Sequence, residues 1–238
     1  MRAGTIQAAM NPSTANPTTK PTNKPILVLV SGRGSNLQAL LTRAEAERWD
    51  TQLGARIVAV VSSHADAEAL NVARAHDVPV HILDHEQFGS RPAFDDALAR
   101  TLDRYAPDMI VLAGFMRVLT PAFVRRYAGR MINIHPSLLP SFPGLDTHQR
   151  ALDAGVRVHG ATVHFVSEDV DAGPIISQAA VAVHAGDDKA SLAARVLQQE
   201  HRLLPRAVRH VLEGRVQFSE RRALLVGIEQ GELSLMAS

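Results

Sequence analysis

Short runs of β-branched and leucine residues alternate, along most of the chain, with stretches whose apolar side chains return every three or four positions. Residues 26–30 read ILVLV without a polar break, as expected of a strand buried on both faces. Leu37, Leu40, Leu41 and Ala44 then recur at helical spacing, and Ser35 with Gln38 reads as a capping box at the helix start. The same alternation continues with a strand over 57–61, a helix over 67–75 and a strand over 80–83. Phe94, Leu98, Leu102 and Tyr105 mark a third helix. Strands at 109–112 and 131–134 follow, separated by a short helix starting near Pro121. Repeated strand–helix alternation predicts an α/β protein: a mostly parallel twisted sheet, right-handed crossovers and helices on both faces.

The second half changes character. Ala161, Val163 and Phe165 alternate with Thr162 and His164, predicting a strand with two unlike faces. A strand over 175–183 follows the turn Asp171-Ala172-Gly173-Pro174, and a long helical stretch runs over 188–213. Pro205 predicts either a kink or the start of a second helix, with Gly214 closing the segment. After Phe218 the pattern fits a short strand or a frayed end equally. Residues 1–24 are rich in Thr, Asn, Pro and Ala, carry no acidic residue and show no apolar period. They predict a disordered tail. That stretch lacks the apolar core of a secretory signal, and Arg2, Lys20 and Lys24 are a thin basic complement for a transit peptide.

Composition narrows the classes. A chain of 238 residues that is 46% hydrophobic can bury a substantial core, which excludes a disordered or fibrous protein. The absence of cysteine excludes disulfides, thiol nucleophiles and thiolate zinc sites, and suits a reducing compartment. Lys and Arg number 25 against 24 Asp and Glu, so no overall field draws in nucleic acid or an anionic membrane. Even the uncharged run 172–186 is broken by Pro174, Ser177, Gln178 and His184, and a membrane span needs ~20 apolar residues. A soluble globular protein is expected.

Four stretches carry candidate chemistry. Ser31-Gly32-Arg33-Gly34-Ser35-Asn36 lies between a strand and a helix, where glycines admit close backbone approach and a helix N-terminus offers unpaired N–H groups to a phosphate. A tight turn that binds nothing has the same look. Leu37 stands where a dinucleotide fingerprint wants glycine, and no Gly-Lys-Ser/Thr follows, which disfavours a nicotinamide dehydrogenase and a Walker loop. Asn133 and His135 sit two apart at a strand end, so both side chains point one way. An amide and an imidazole there can polarise a carbonyl and move a proton; a turn-bonded Asn and a core His fit the spacing as well. Asp171, in the turn, either caps its own backbone or favours a charged imidazole beside it, with His159 and His164 near. Residues 113–119 after the fourth strand suit the wall of a flat aromatic ligand's pocket, or simply core, and Arg91 stands before the third helix. No set of histidines and carboxylates has metal-ligand spacing, so no metal is expected.

Taken in order, Ser31-Gly32-x-Gly34-Ser35-Asn36-Leu37, Leu112-Ala113-Gly114-Phe115-Met116-Arg117, Asn133-Ile134-His135-Pro136-Ser137-Leu138-Leu139-Pro140, Phe142-Pro143-Gly144, His159-Gly160, Val163-His164-Phe165-Val166 and Asp171-x-Gly173-Pro174 resemble the folate-dependent phosphoribosylglycinamide formyltransferases of purine biosynthesis. The resemblance covers about residues 25–214. It implies a Rossmann-like formyltransferase fold in one domain over 25–238, with a phosphate-binding half over 25–130 and a catalytic and folate-binding half over 131–238. It further implies formyl transfer from 10-formyltetrahydrofolate, as co-substrate, to the amine of glycinamide ribonucleotide, in the cytoplasm, with no metal, nucleic acid or membrane involved.

The resemblance also distributes roles. Asn133, His135 and Asp171 would be catalytic, and Gly34, Ser35, Asn36 and Glu200 would bind the ribonucleotide. Folate would be enclosed by Met116, Arg117, Val118 and Leu119 with Leu112, by Ser167, Glu168, Asp169, Val170 and Asp171, and by Asn133, while Arg91 would face its benzoylglutamate portion. Methionyl-tRNA formyltransferases share these elements but carry a further C-terminal domain, for which few residues follow Gly214. Formyltetrahydrofolate deformylases carry an N-terminal regulatory domain, for which residues 1–24 are too short. A catalytically silent folate- or nucleotide-binding module is the reading from another class.

Overall fold

The computed structural model describes residues 23–219, 222–227 and 234–236. In chain order these form β1 (Lys24–Val30), α1 (Ser35–Ala46), α2 (Trp49–Gln52), β2 (Ala55–Ser62), α3 (Ala69–Ala75), β3 (Val80–Ile82), a 3₁₀ turn (His85–Gln87), α4 (Arg91–Asp103), β4 (Met109–Leu112), α5 (Pro121–Arg126) and β5 (Met131–His135). They continue as α6 (Thr147–Asp153), β6 (Val158–Phe165), β7 (Ile175–Ala182), α7 (Lys189–Leu212), β8 (Val216–Gln217), β9 (Leu224–Leu225) and β10 (Ser234–Met236). The expected tail is outside the described residues except for its end, where Lys24 already belongs to β1 and donates its backbone N–H to Gly54 O.

One sheet of eight strands runs in the order β10-β7-β6-β5-β4-β1-β2-β3. Strands β3, β2, β1, β4 and β5 are mutually parallel, whereas β6 is antiparallel to both β5 and β7. The apolar runs explain the parallel half. Ile26, Val28 and Val30 face α1, α3 and α7, while Leu27 and Leu29 face α4 and α5 through Leu98, Leu102 and Phe123. Both faces are therefore covered, and only the edges of that half meet solvent.

Several local expectations are corrected. Ser35 is not the cap of α1: Gly34, at φ 81°, takes that position, and no side chain caps the helix. Gln38 turns instead to Thr42 and His76. A Cβ on Gly34 would lie 2.6 Å from Ala69 Cα, so the turn needs glycine for space as well as for its positive φ. Pro205 does not start a second helix: it lies inside the last one, which runs as one element over 24 residues behind a capping box of Asp188 and Ser191. Gly214 follows its end at φ 72°. The stretch after Phe218 resolves toward strands, with β9 pairing β8 and β10 adding to β7. α2 and α6 are additions to the elements the sequence pattern predicts. No helix among the described residues is long and apolar enough to cross a membrane.

Candidate active site

Strand order reverses direction around β1: the chain steps outward to β2 and β3, then crosses back to β4 and β5. In open α/β sheets a ligand crevice opens at that reversal, outside the carboxyl ends of the strands. The loop after β1 occupies it. Its Ser31 accepts the backbone N–H of Met116 (2.8 Å) and shares a hydrogen bond with Ser63 (2.7 Å), tying together the loops after β1, β4 and β2. With Gly34 as an uncapped N-cap, the first-turn N–H groups of α1 are left for an external acceptor.

Asn36, in that first turn, is buried and donates through Nδ2 to Glu200 Oε2 at 2.7 Å, joining α1 to α7 across 164 residues of sequence. Its Oδ1 is buried without a partner. Burial pushes the Glu200 carboxyl above its ordinary range, a shift the Asn36 hydrogen bond partly offsets. Gly34, Ser35, Asn36 and Glu200 are thus brought together as expected.

The second cluster grows from the pairing of β5 with β6. Asn133 lies opposite His164, and His135 opposite Thr162; directly paired residues share a face. The other face of the same strands, Ile132, Ile134, Ala161, Val163 and Phe165, packs in the core with α7. Asn133 Nδ2 donates to His164 Nε2 at 3.2 Å, and His164 Nδ1 donates to Phe165 O at 2.9 Å. This arrangement fixes one neutral tautomer, and burial lowers the His164 pKa in agreement. His164 was noticed in sequence only as a neighbour; the two-faced alternation of 161–165 held the signal.

The turn between β6 and β7 curls back over this polar face. Asp171, at φ 54°, places Oδ2 3.4 Å from His135 Nδ1 and Oδ1 3.8 Å from His164 Nε2. Oδ2 also accepts the backbone N–H of Gly144 at 2.8 Å, fastening the turn to the loop after β5. Gly173 makes the close return possible: a Cβ there would lie 1.8 Å from Phe165 O. His135 is buried, and its Nε2 contacts Phe142 O at 3.0 Å. Each ring nitrogen therefore faces an oxygen acceptor, an environment that the doubly protonated ring satisfies at both ends.

Around it, Thr162 and Gln178 hold the backbone of Ser137 and Leu139, which gives the following loop its path. Asn133, His135 and Asp171 converge as expected. Their strand end is two strands from β1, roughly 10 Å at ordinary strand spacing.

The expected folate-binding residues divide. Met116 and Val118 after β4 and Val170 in the β6–β7 turn are large apolar side chains left exposed, while Leu119 is buried. Arg117 and Ser167 are half-buried and Asp169 exposed. Glu168 pairs with Arg125 on α5, on the solvent side. Arg91 is exposed at the first position of α4 and makes no side-chain contact that ties it to the others. α4 nevertheless packs against the segment after β4: Phe94 stacks on Phe115, and buried Asp95 accepts the N–H of Thr120 at 2.6 Å. Among the described residues, no group of three or more His, Asp or Glu side chains is arranged to hold a metal ion.

Comparison with known proteins accords with this geometry. The model of the formyl transferase family matches residues 24–208. The phosphoribosylglycinamide formyltransferase of Escherichia coli (strain K12) is 47% identical over 202 residues, covering 85% of this chain and 93% of that protein. The trifunctional purine biosynthetic protein adenosine-3 of Gallus gallus is 48% identical over 200 residues, and the match covers 84% of this chain but only 20% of that longer protein. The crystal structure of glycinamide ribonucleotide transformylase 1 from Symbiobacterium toebii superposes with a TM-score of 0.83 at 43% identity, covering 90% of this chain and 99% of that one. The chain belongs to the formyl transferase family.

Proposed function

We propose that this protein transfers a formyl group from 10-formyltetrahydrofolate to the amine of glycinamide ribonucleotide, in the cytoplasmic purine pathway. The observation that carries the reading is the convergence of Asn133, His135 and Asp171 on one open face of β5 and β6, about two strands from an uncapped helix N-terminus. A phosphate held at Gly34, Ser35 and Asn36, with Glu200 receiving ribose hydroxyls, would put the amine of a ribonucleotide within reach of that face. In this reading residues 25–130 supply the phosphate site and residues 131–238 the catalytic side chains and the ribose contact, while the folate site draws on both.

The amine nitrogen attacks the formyl carbon, the carbonyl electrons move to oxygen, and a tetrahedral oxyanion forms. Collapse breaks the bond to the folate nitrogen, which takes up the proton lost by the amine. Preorganised donors aimed at the developing charge are the largest expected contribution. Asn133 has a second amide hydrogen beyond the one given to His164, and His164, locked by Phe165 O, keeps that amide oriented. His135 supplies the charged donor: the substrate oxygen takes the place that the Phe142 carbonyl holds on Nε2. Asp171, 3.4 Å from Nδ1, orients the imidazole and, through an ordered water, relays the proton between nitrogens. The exposed Met116, Val118 and Val170 receive the pteridine, and Arg91 its acidic tail.

A spectroscopic formyl-transfer assay with purified protein, glycinamide ribonucleotide and 10-formyltetrahydrofolate tests donor, acceptor and reaction together. Deformylated folate and formylated ribonucleotide should appear in equal amounts. Formate released without the amine substrate would instead identify a hydrolase, and binding of both ligands without turnover a silent module.

A further inference from the structure

The C-terminal halves of α1 and α7 enclose a cavity of about 370 Å³ that the catalytic chemistry does not use. It lies on the C-terminal side of Asn36 in α1 and of Glu200 in α7. Five arginines line it, Arg43 from α1, Arg202, Arg206 and Arg209 from α7, and Arg215 just beyond, and no lysine does. Among the described residues, two acids, Glu47 and Glu213, share the wall with these five arginines. Those acids are already engaged: Glu47 by Arg43 and Arg209, Glu213 by Arg209 and Arg215. Arg202 and Arg206 make no hydrogen bond or ion pair among the described residues. They stand four positions apart, on the helix face that also carries Arg209, where like charges oppose helix formation. Charge at this density is stabilised by an anion.

A second observation points the same way. His210, in the cavity wall, is 7% exposed, and its Nε2 is buried without a partner. Its Nδ1 lies 3.4 Å from an Arg215 guanidinium nitrogen and 3.5 Å from Glu213 Oε2, which leaves Nε2 as the buried ring atom still open to a partner. The guanidinium forks of Arg202 and Arg206, with the His210 ring beside them, match the several oxygens of a phosphate. A concave site of this volume suits a small molecule better than the flat surface of a nucleic acid.

We propose that this cavity is a second anion site, which binds the phosphate or diphosphate group of a small metabolite at a position separate from the ribonucleotide site. The test is isothermal titration of inorganic pyrophosphate into the full chain saturated with glycinamide ribonucleotide, so that the phosphate loop after β1 is already filled. Wild type should bind. Arg202→Ser/Arg206→Ser should weaken binding by about tenfold or more, the effect of losing charge-assisted contacts, with kcat for formyl transfer unchanged. Arg43→Ser, from the other helix, should weaken it too, which keeps the test open if the double variant folds poorly. In wild type the His210 ring nitrogen resonances should shift on titration. The absence of binding to the saturated wild type, binding indifferent to all three arginines, or single-stranded RNA bound in preference to pyrophosphate would each overturn the proposal.

Discussion

Asp171→Asn separates the charge of the carboxylate from its role as a fastening. In the wild type Oδ2 serves two partners, the Gly144 N–H at 2.8 Å and His135 Nδ1 at 3.4 Å. The asparagine oxygen can still accept from Gly144, so the β6–β7 turn and the loop after β5 should stay joined. What disappears is the negative charge. At 3.4 Å and an effective dielectric near 20, two unit charges attract by about 5 kcal/mol before the cost of desolvating them is subtracted. Losing an oxyanion-directed donor costs about 3–4 kcal/mol, or ~10²–10³ in rate. The variant should therefore lose ~10²–10³ in kcat while its affinity for glycinamide ribonucleotide, measured by calorimetry, stays within about threefold, because Asn36 and Glu200 are untouched. Asp171→Ala should additionally raise the KM for folate, since the Gly144 contact goes as well. A folded Asp171→Asn enzyme whose kcat falls by less than about tenfold would refute the role given to the charge.

Three further outcomes follow from the geometry. Gly34→Ala must place a Cβ 2.6 Å from Ala69 Cα at a φ of 81°, so ribonucleotide affinity should fall by at least about tenfold, whereas unchanged affinity by titration would detach that turn from phosphate binding. Burial, reinforced by His148, lowers the His159 pKa from 6.5 to about 4; between those values the unfolded chain binds more protons, so stability falls as the pH drops from 6.5 toward 4. His159→Gln should flatten the dependence of Tm on pH across that window, and an identical slope in both proteins would contradict it. Leu98→Ala, at a fully buried position between α4 and the sheet, should cost ~2–5 kcal/mol in urea unfolding and leave kcat near wild type, since no catalytic side chain rests on it.

The parallel strands were readable because a strand covered on both faces must be apolar at every position, and residues 26–30 and 109–112 are. β6 was readable for the opposite reason: Ala161, Val163 and Phe165 meet the core while Thr162 and His164 do not. The helix start at residue 35 was misread because Ser35 and Gln38 satisfy a capping rule at a place where the close approach of Ala69 requires Gly34 as the cap. The helix continues through Pro205 because a proline deprives it of one hydrogen bond only, whereas the packing of Leu203, Leu204, Ala207 and Val208 spans the gap. The Asn36–Glu200 contact bridges 164 residues, and no local pattern encodes it; it entered through resemblance. The backbone partners of His135 and Asp171, the Phe142 carbonyl that accepts and the Gly144 N–H that donates, lie outside what a side-chain alphabet can say.

The switch from parallel to antiparallel pairing at β5 explains why this site has two parts. In the parallel half both faces lie under helices, so polar chemistry can only sit at the carboxyl edge, where backbone N–H groups are available and an anion is the natural ligand. Beyond β5, α4 and α5 no longer cover the second face. Asn133, His135, Thr162 and His164 fill it, roofed by the loop after β5 and by the turn carrying Asp171. A roof made of loops admits a second substrate more readily than a packed helix. Binding by backbone at the edge and proton chemistry by side chains on the open face are thus separate consequences of one change in strand direction. Substitutions in the first part should therefore move ribonucleotide affinity, and those in the second should move turnover.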